Sequence, residues 1–160
     1  MIDINASLGH WPFADLAHNM PPTLLKWLAA AGIHQACVAP LEAAFYKDIQ
    51  VANRNLHLAV QRYRHSLLPF GVINPAFPDW QSDLDQCRRQ WQTAGVRLLP
   101  SYHGYAITDP CCLELFEALS DAGLQTDADS LSFSLQDQNT GGNAQDSPRL
   151  RPTARSTRPI

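Results

Sequence analysis

The chain has 160 residues, a formal net charge of −3 and a sequence pI near 6.0. That length suits one ordinary domain and is short for a whole βα barrel, which typically needs about 250 residues. Charges of both signs are interspersed, so nothing calls for nucleic acid or an anionic membrane as partner, and no apolar run approaches the roughly 20 residues that cross a bilayer.

Residues 2–8 alternate and then run apolar, which predicts a short strand ended by Gly9. Pro21-Pro22-Thr23 opens a helix with Leu24, Leu25, Leu28 and Ala29 on its apolar stripe, and Gly32 stands where a positive φ is wanted. A buried strand over 33–39 follows, closed by Pro40. The second helix is expected over 46–64, with Ile49, Ala52, Leu56, Ala59 or Val60, and Tyr63 inward.

The third strand is Leu-Leu-Pro-Phe-Gly-Val-Ile over 67–73, ending at Asn74-Pro75. Asp79 is the N-cap expected for a helix whose stripe is Trp80, Leu84, Cys87 and Trp91. Val96 to Pro100 reads as the fourth strand. Thr108 or Asp109 caps a fourth helix, with Pro110 in its first turn and Leu113, Phe116 and Leu119 inward. Ala31-Gly32-Ile33, Ala94-Gly95-Val96 and Ala122-Gly123-Leu124 repeat one helix-ending device. Trp27, Trp80 and Trp91 fall on helical stripes and are expected in the core.

Four strand–helix units predict a parallel sheet with helices packed outside it; a flavodoxin-like open sheet is the alternative at this point. Cys37, Cys87, Cys111 and Cys112 show no C-x-x-C spacing and read as reduced thiols. The start, Met1-Ile2-Asp3-Ile4-Asn5, has no signal-peptide character, so the cytoplasm is the expected location.

After Gly123 a fifth apolar strand is due, yet the chain continues Leu124-Gln125-Thr126-Asp127-Ala128-Asp129. From Asp127 onward there is no Trp, Tyr, Cys, Met or Lys, and the last stretch is rich in Arg and Pro. Such a segment buries too little apolar surface to offset its ordering entropy. The expected division is therefore residues 1–124 as a barrel half and residues 125–160 as a tail. That tail is a disordered extension, a basic interaction segment, or sequence read out of frame.

Three stretches resemble the amidohydrolase-related family of metal-dependent hydrolases. They are Ile2-Asp3-Ile4-Asn5-Ala6-Ser7-Leu8-Gly9-His10-Trp11-Pro12-Phe13, Leu68-Pro69-Phe70-Gly71-Val72-Ile73-Asn74-Pro75, and Gly95-Val96-Arg97-Leu98-Leu99-Pro100-Ser101-Tyr102-His103-Gly104-Tyr105 followed by Asp109-Pro110. The resemblance covers about residues 1–124. It implies an α/β fold, a partial (β/α)₈ TIM barrel of about four βα units, with chemistry at the C-terminal ends of the strands. It also implies a hydrolase, decarboxylase or lactonase acting on a small carboxylated or cyclic compound with a divalent metal, often zinc. The family's first-strand His-x-His positions fall here on Asn5 and Ser7, neither a good zinc ligand, and its remaining ligands belong to later strands.

The candidate substrate-binding residues are Asn5, Ser7, His10, Asn74, Arg97 and His103. Each has a plainer reading. His10 packs in a His-Trp-Pro-Phe loop; Asn74 serves Asn-Pro turn chemistry; Asn5 and Ser7 satisfy each other; Arg97 meets a helix carboxylate; His103 belongs to a substrate loop or only to its packing. Two functions follow. One is a small-acid hydrolase or decarboxylase, truncated and weakly active. The other is a non-catalytic fragment or pseudo-enzyme that self-associates through exposed sheet edges or binds a partner.

Overall fold

A computed structural model describes residues 1–128. Five strands run parallel in the order of the chain: β1 (Ile2–Leu8), β2 (Gln35–Pro40), β3 (Leu67–Val72), β4 (Gly95–Leu98) and β5 (Gln125–Ala128). Between them lie α1 (Pro21–Ala30), α2 (Ile49–Val60), α3 (Trp80–Arg89), the one-turn α4 (Pro100–His103) and α5 (Pro110–Ala122). The sheet curls into a half barrel with the helices between its strands, a partial TIM barrel. Among the described residues no helix is long and apolar enough to cross a membrane.

The first four strands and their helices fall where periodicity places them. Ala6 and Leu8 of β1, Ala36 and Val38 of β2, Leu24 and Leu28 of α1, and Leu56 and Val60 of α2 make one buried cluster. Ile73, Trp80, Leu84, Cys87, Val96, Leu98, Leu115 and Leu119 make a second, between α3, α5 and the β3–β4 side of the sheet. Burial of each such Leu contributes roughly 1.5–3 kcal/mol, so these stripes hold the helices to the sheet.

Several local expectations change. The second helix begins at Ile49, capped by the Asp48 carboxylate accepting from Gln50 N at 3.0 Å, while Leu41–Ala44 form a separate 3₁₀ turn. The fourth strand stops at Leu98, because Pro100 already starts α4. On α5 the buried face is Cys112, Leu115 and Leu119, and Leu113 is 55% exposed. Trp80 is buried and Trp91 half-buried, but Trp27 is exposed and stacks on His18 with ring centroids 5.7 Å apart.

The three glycines of the repeated device also divide. Gly32 and Gly123 take φ of 71° and 65° just past α1 and α5, as left-handed helix ends require. Gly95 does not; Gln92, at φ 50°, reverses the chain after α3. A Cβ on Gly95 would lie 2.5 Å from the Phe70 ring and 2.6 Å from the Gln125 carbonyl oxygen, so it is glycine because β3 and β5 crowd it from both sides.

The fifth strand is the principal addition. Gln125–Ala128 pairs with Gly95–Leu98 in parallel register, four residues whose polarity assigns them to the tail. The apolar run expected of a strand buried on both faces is missing, and the ladder to β4 supplies what side chains do not. Residues 129–160, and with them the expectation of a disordered or out-of-frame tail, lie outside the described residues.

Candidate functional site at the strand ends

Because all five strands are parallel, the loops after them share one rim, where βα barrels carry their sites. His10 follows β1, Glu42 follows β2, Asn74 follows β3 and His103 follows β4. Asn5, Ser7 and Arg97 lie within the strands themselves.

Arg97 and Ser7 are brought together. Arg97 is fully buried, and its guanidinium donates from Nη1 to Ala6 O at 2.8 Å and to Ser7 Oγ at 3.3 Å, and from Nη2 to Ile4 O at 3.0 Å. A flat sheet would hold β1 and β4 about 14 Å apart, so this contact exists only because the sheet curls. These acceptors, two first-strand carbonyls and a hydroxyl, are ones the sequence does not suggest for Arg97. Near Asn5, β1 is irregular: its register against β2 shifts between Asp3 and Ala6, and Asn5 N donates to its neighbour Asp3 Oδ1 at 2.8 Å.

Asn74 is buried and its Oδ1 accepts from Ala76 N at 3.0 Å, which is the turn chemistry of an Asn-Pro corner. The His10 side chain is exposed; its backbone N–H donates to Glu42 Oε2 at 3.2 Å. Gly9 passes so close to that carboxylate, at φ 109°, that a Cβ there would lie 1.8 Å from Glu42 Oε2. Glu42 was not singled out by the sequence; its only signal is an acid two residues beyond the strand-ending Pro40.

His103 is half-buried at the end of α4, where Gly104 at φ 73° turns the chain away. Its Nε2 bonds the Ala43 carbonyl at 3.0 Å, which makes Nε2 the protonated nitrogen. Its Nδ1 is buried with no partner among the described residues. Burial pulls the imidazole pKa below its ordinary value, opposed in part by the bond to Ala43. The ring is therefore neutral at pH 7 and presents a lone pair at Nδ1.

An aromatic cluster shares this rim. Trp11 lies 4.9 Å from Phe45 and 6.3 Å from Tyr102, edge to face, and Phe13 joins Phe45 at 5.6 Å. Loops after β1, β2 and β4 are thus tied together by rings that sequence spacing does not pair. A cavity of about 170 Å³ opens beside the end of β1 and the start of α1; Glu42, Asn19 and Asn55 line it, and none of the six candidate residues does.

The donor set does not suit the divalent metal that the family resemblance implies. Asn5 and Ser7 offer a neutral amide and a hydroxyl, and among the described residues no three His, Cys, Asp or Glu side chains converge.

No family model matches the chain, and no curated protein matches it. Solved structures do. A 2,6-dihydroxybenzoate decarboxylase from Rhizobium superposes with a TM-score of 0.61 at 12% identity, over 78% of this chain and 48% of that one. The 5-carboxyvanillate decarboxylase of Novosphingobium aromaticivorans, solved with manganese and 3-methoxy-4-hydroxy-5-nitrobenzoic acid, gives 0.61 at 14% identity, over 88% and 55%. A probable 2-pyrone-4,6-dicarboxylic acid hydrolase from Acinetobacter baumannii, with citric acid bound, gives 0.54 at 15% identity, over 79% and 48%. The chain spans about half the length of these structures, and its fold is that of amidohydrolase-superfamily enzymes.

Proposed function

We propose that this chain forms the first half of an amidohydrolase-type barrel that acts on a small organic acid in the cytoplasm, by hydrolysis or decarboxylation. The observation carrying this reading is the Nδ1 of His103 on the rim, which has no partner among the described residues while the other ring nitrogen is held on Ala43. A neutral imidazole in that state takes a proton from, or shares one with, a substrate hydroxyl or an attacking water. The solved structures of this fold with a nitrobenzoic acid or citric acid bound support a carboxylate as substrate. In this reading Asn5, Ser7, His10, Asn74 and Arg97 shape the mouth, and no step is routed through zinc or another metal.

The test is turnover of a panel of hydroxybenzoates, aliphatic tricarboxylates and lactones, followed by carbon dioxide release and acid production. Activity that falls about 10²–10⁴-fold in His103→Gln, with circular dichroism unchanged, supports the assignment. Activity unaffected by that substitution removes His103 from the chemistry.

A second reading is favoured by the end strand β1, where Ile2 is 54% and Ile4 66% exposed. In it the chain is a truncated, non-catalytic fragment that associates through the edge of β1, which ends the sheet among the described residues. Sedimentation velocity separates the two: a dimer or larger species dissociated by Ile4→Lys supports association, and a monomer at high concentration removes it.

A further inference from the structure

The barrel interior already contains a cation. Arg97 is buried, carries a charge that no protein environment removes, and touches β1 through two backbone carbonyls and the hydroxyl of Ser7. Ser7 is one of the two positions at which the family resemblance places a first-strand metal ligand, and Asn5 is the other. A divalent ion bound by Ser7 would stand against a guanidinium that is already within hydrogen-bond reach of the same hydroxyl. The Ser7 oxygen is thus already engaged, and neither Ser7 nor Asn5 offers the anionic or imidazole donor that a divalent ion would need to displace the guanidinium.

The contact also has a mechanical consequence. β1 and β4 are not neighbours, since β2 and β3 lie between them, and the fork of Arg97 is a direct bond across the concave side of the sheet. Its planar shape lets two nitrogens address Ile4 O and Ala6 O together, which the single ammonium of lysine cannot reproduce.

We infer that Arg97 is the resident cation of this half barrel: it ties β4 to β1 through the first-strand hydroxyl at which the family resemblance places a metal ligand, and the chain binds no divalent metal on its first strand. This rests on the fold and the donor set, and it stands whether or not the chain proves to be an enzyme.

The test uses the full chain incubated with excess manganese or zinc and then desalted, with metal content and thermal unfolding as readouts. Wild-type protein is expected to retain far less than one equivalent of either metal, with a midpoint unchanged by EDTA. Arg97→Met is expected to unfold about 10 °C lower, because buried carbonyls lose their donor, and Arg97→Lys to fall between. Stoichiometric metal whose removal lowers the wild-type midpoint would overturn the inference. So would an Arg97→Lys protein as stable as wild type, since the fork would then be dispensable. The wild-type metal measurement decides the question of the cation even if neither variant folds.

Discussion

Asn53 clasps Val72. The Asn53 side chain, on α2, donates to Val72 O at 2.9 Å and accepts from Val72 N at 2.8 Å, satisfying both backbone groups of a buried β3 residue. The reason lies in the ladder. β2 and β3 pair only as far as Val38 and Pro69, and the prolines at 40 and 69 have no N–H to give. Beyond that point β3 pairs with β4 on its other edge, and the amide of α2 replaces the missing strand partner.

Asn53→Ala should therefore lower unfolding stability by about 3 kcal/mol, because two buried backbone groups are left unmet at about 1–3 kcal/mol each. Urea unfolding checks this, and a midpoint equal to wild type would show that water replaces the clasp without loss.

Gly95→Ala should destabilise by about 1–3 kcal/mol through overpacking against the Phe70 ring and the Gln125 carbonyl. The loss should concentrate in β5, so amide exchange of Gln125 and Thr126 should quicken more than that of β2. Uniform quickening would show that β5 is not the element displaced.

His103 sets a pH dependence. Its folded-state pKa lies below the ordinary histidine value, so in the window between the two the unfolded chain binds the proton and the folded chain does not. Stability contributed by the neutral ring is full above pH ~6.5 and is lost as pH falls through the lowered pKa. The midpoint of unfolding should drop between pH 7.5 and 5.5, and more in wild type than in His103→Gln. Parallel curves would remove His103 as the cause.

The thiols should divide by burial. Burial first, then the nearby Asp83 carboxylate, pushes the Cys87 pKa up to about 12, and burial first, then the adjacent Cys111, pushes Cys112 to about 11. Cys111 is only half-buried. In native protein at pH 8 an aromatic disulfide reagent should modify Cys111 promptly and Cys37, Cys87 and Cys112 only on unfolding. Prompt reaction of two or more thiols would indicate local opening of the α3 or α5 contacts.

On α5, Leu115→Ala should cost about 2–5 kcal/mol and Leu113→Ala less than about 0.5 kcal/mol. Equal losses would mean that the helix is rotated from the face given by Cys112, Leu115 and Leu119.

Local periodicity and punctuation by themselves determined the alternation of strands and helices, the inward stripe of α2 and the left-handed glycines at 32 and 123. These are decided within one or two turns of chain, where apolar spacing and backbone sterics act directly. Only the tertiary structure decided the rest. Gly95 is crowded by strands on both sides, and β5 is a strand through its ladder to β4 rather than through apolar side chains. Asn53 answers a gap left by two prolines, and Arg97 meets acceptors up to 93 residues away. Each depends on how the sheet curls, and the spacing of residues along a strand carries no record of that curvature.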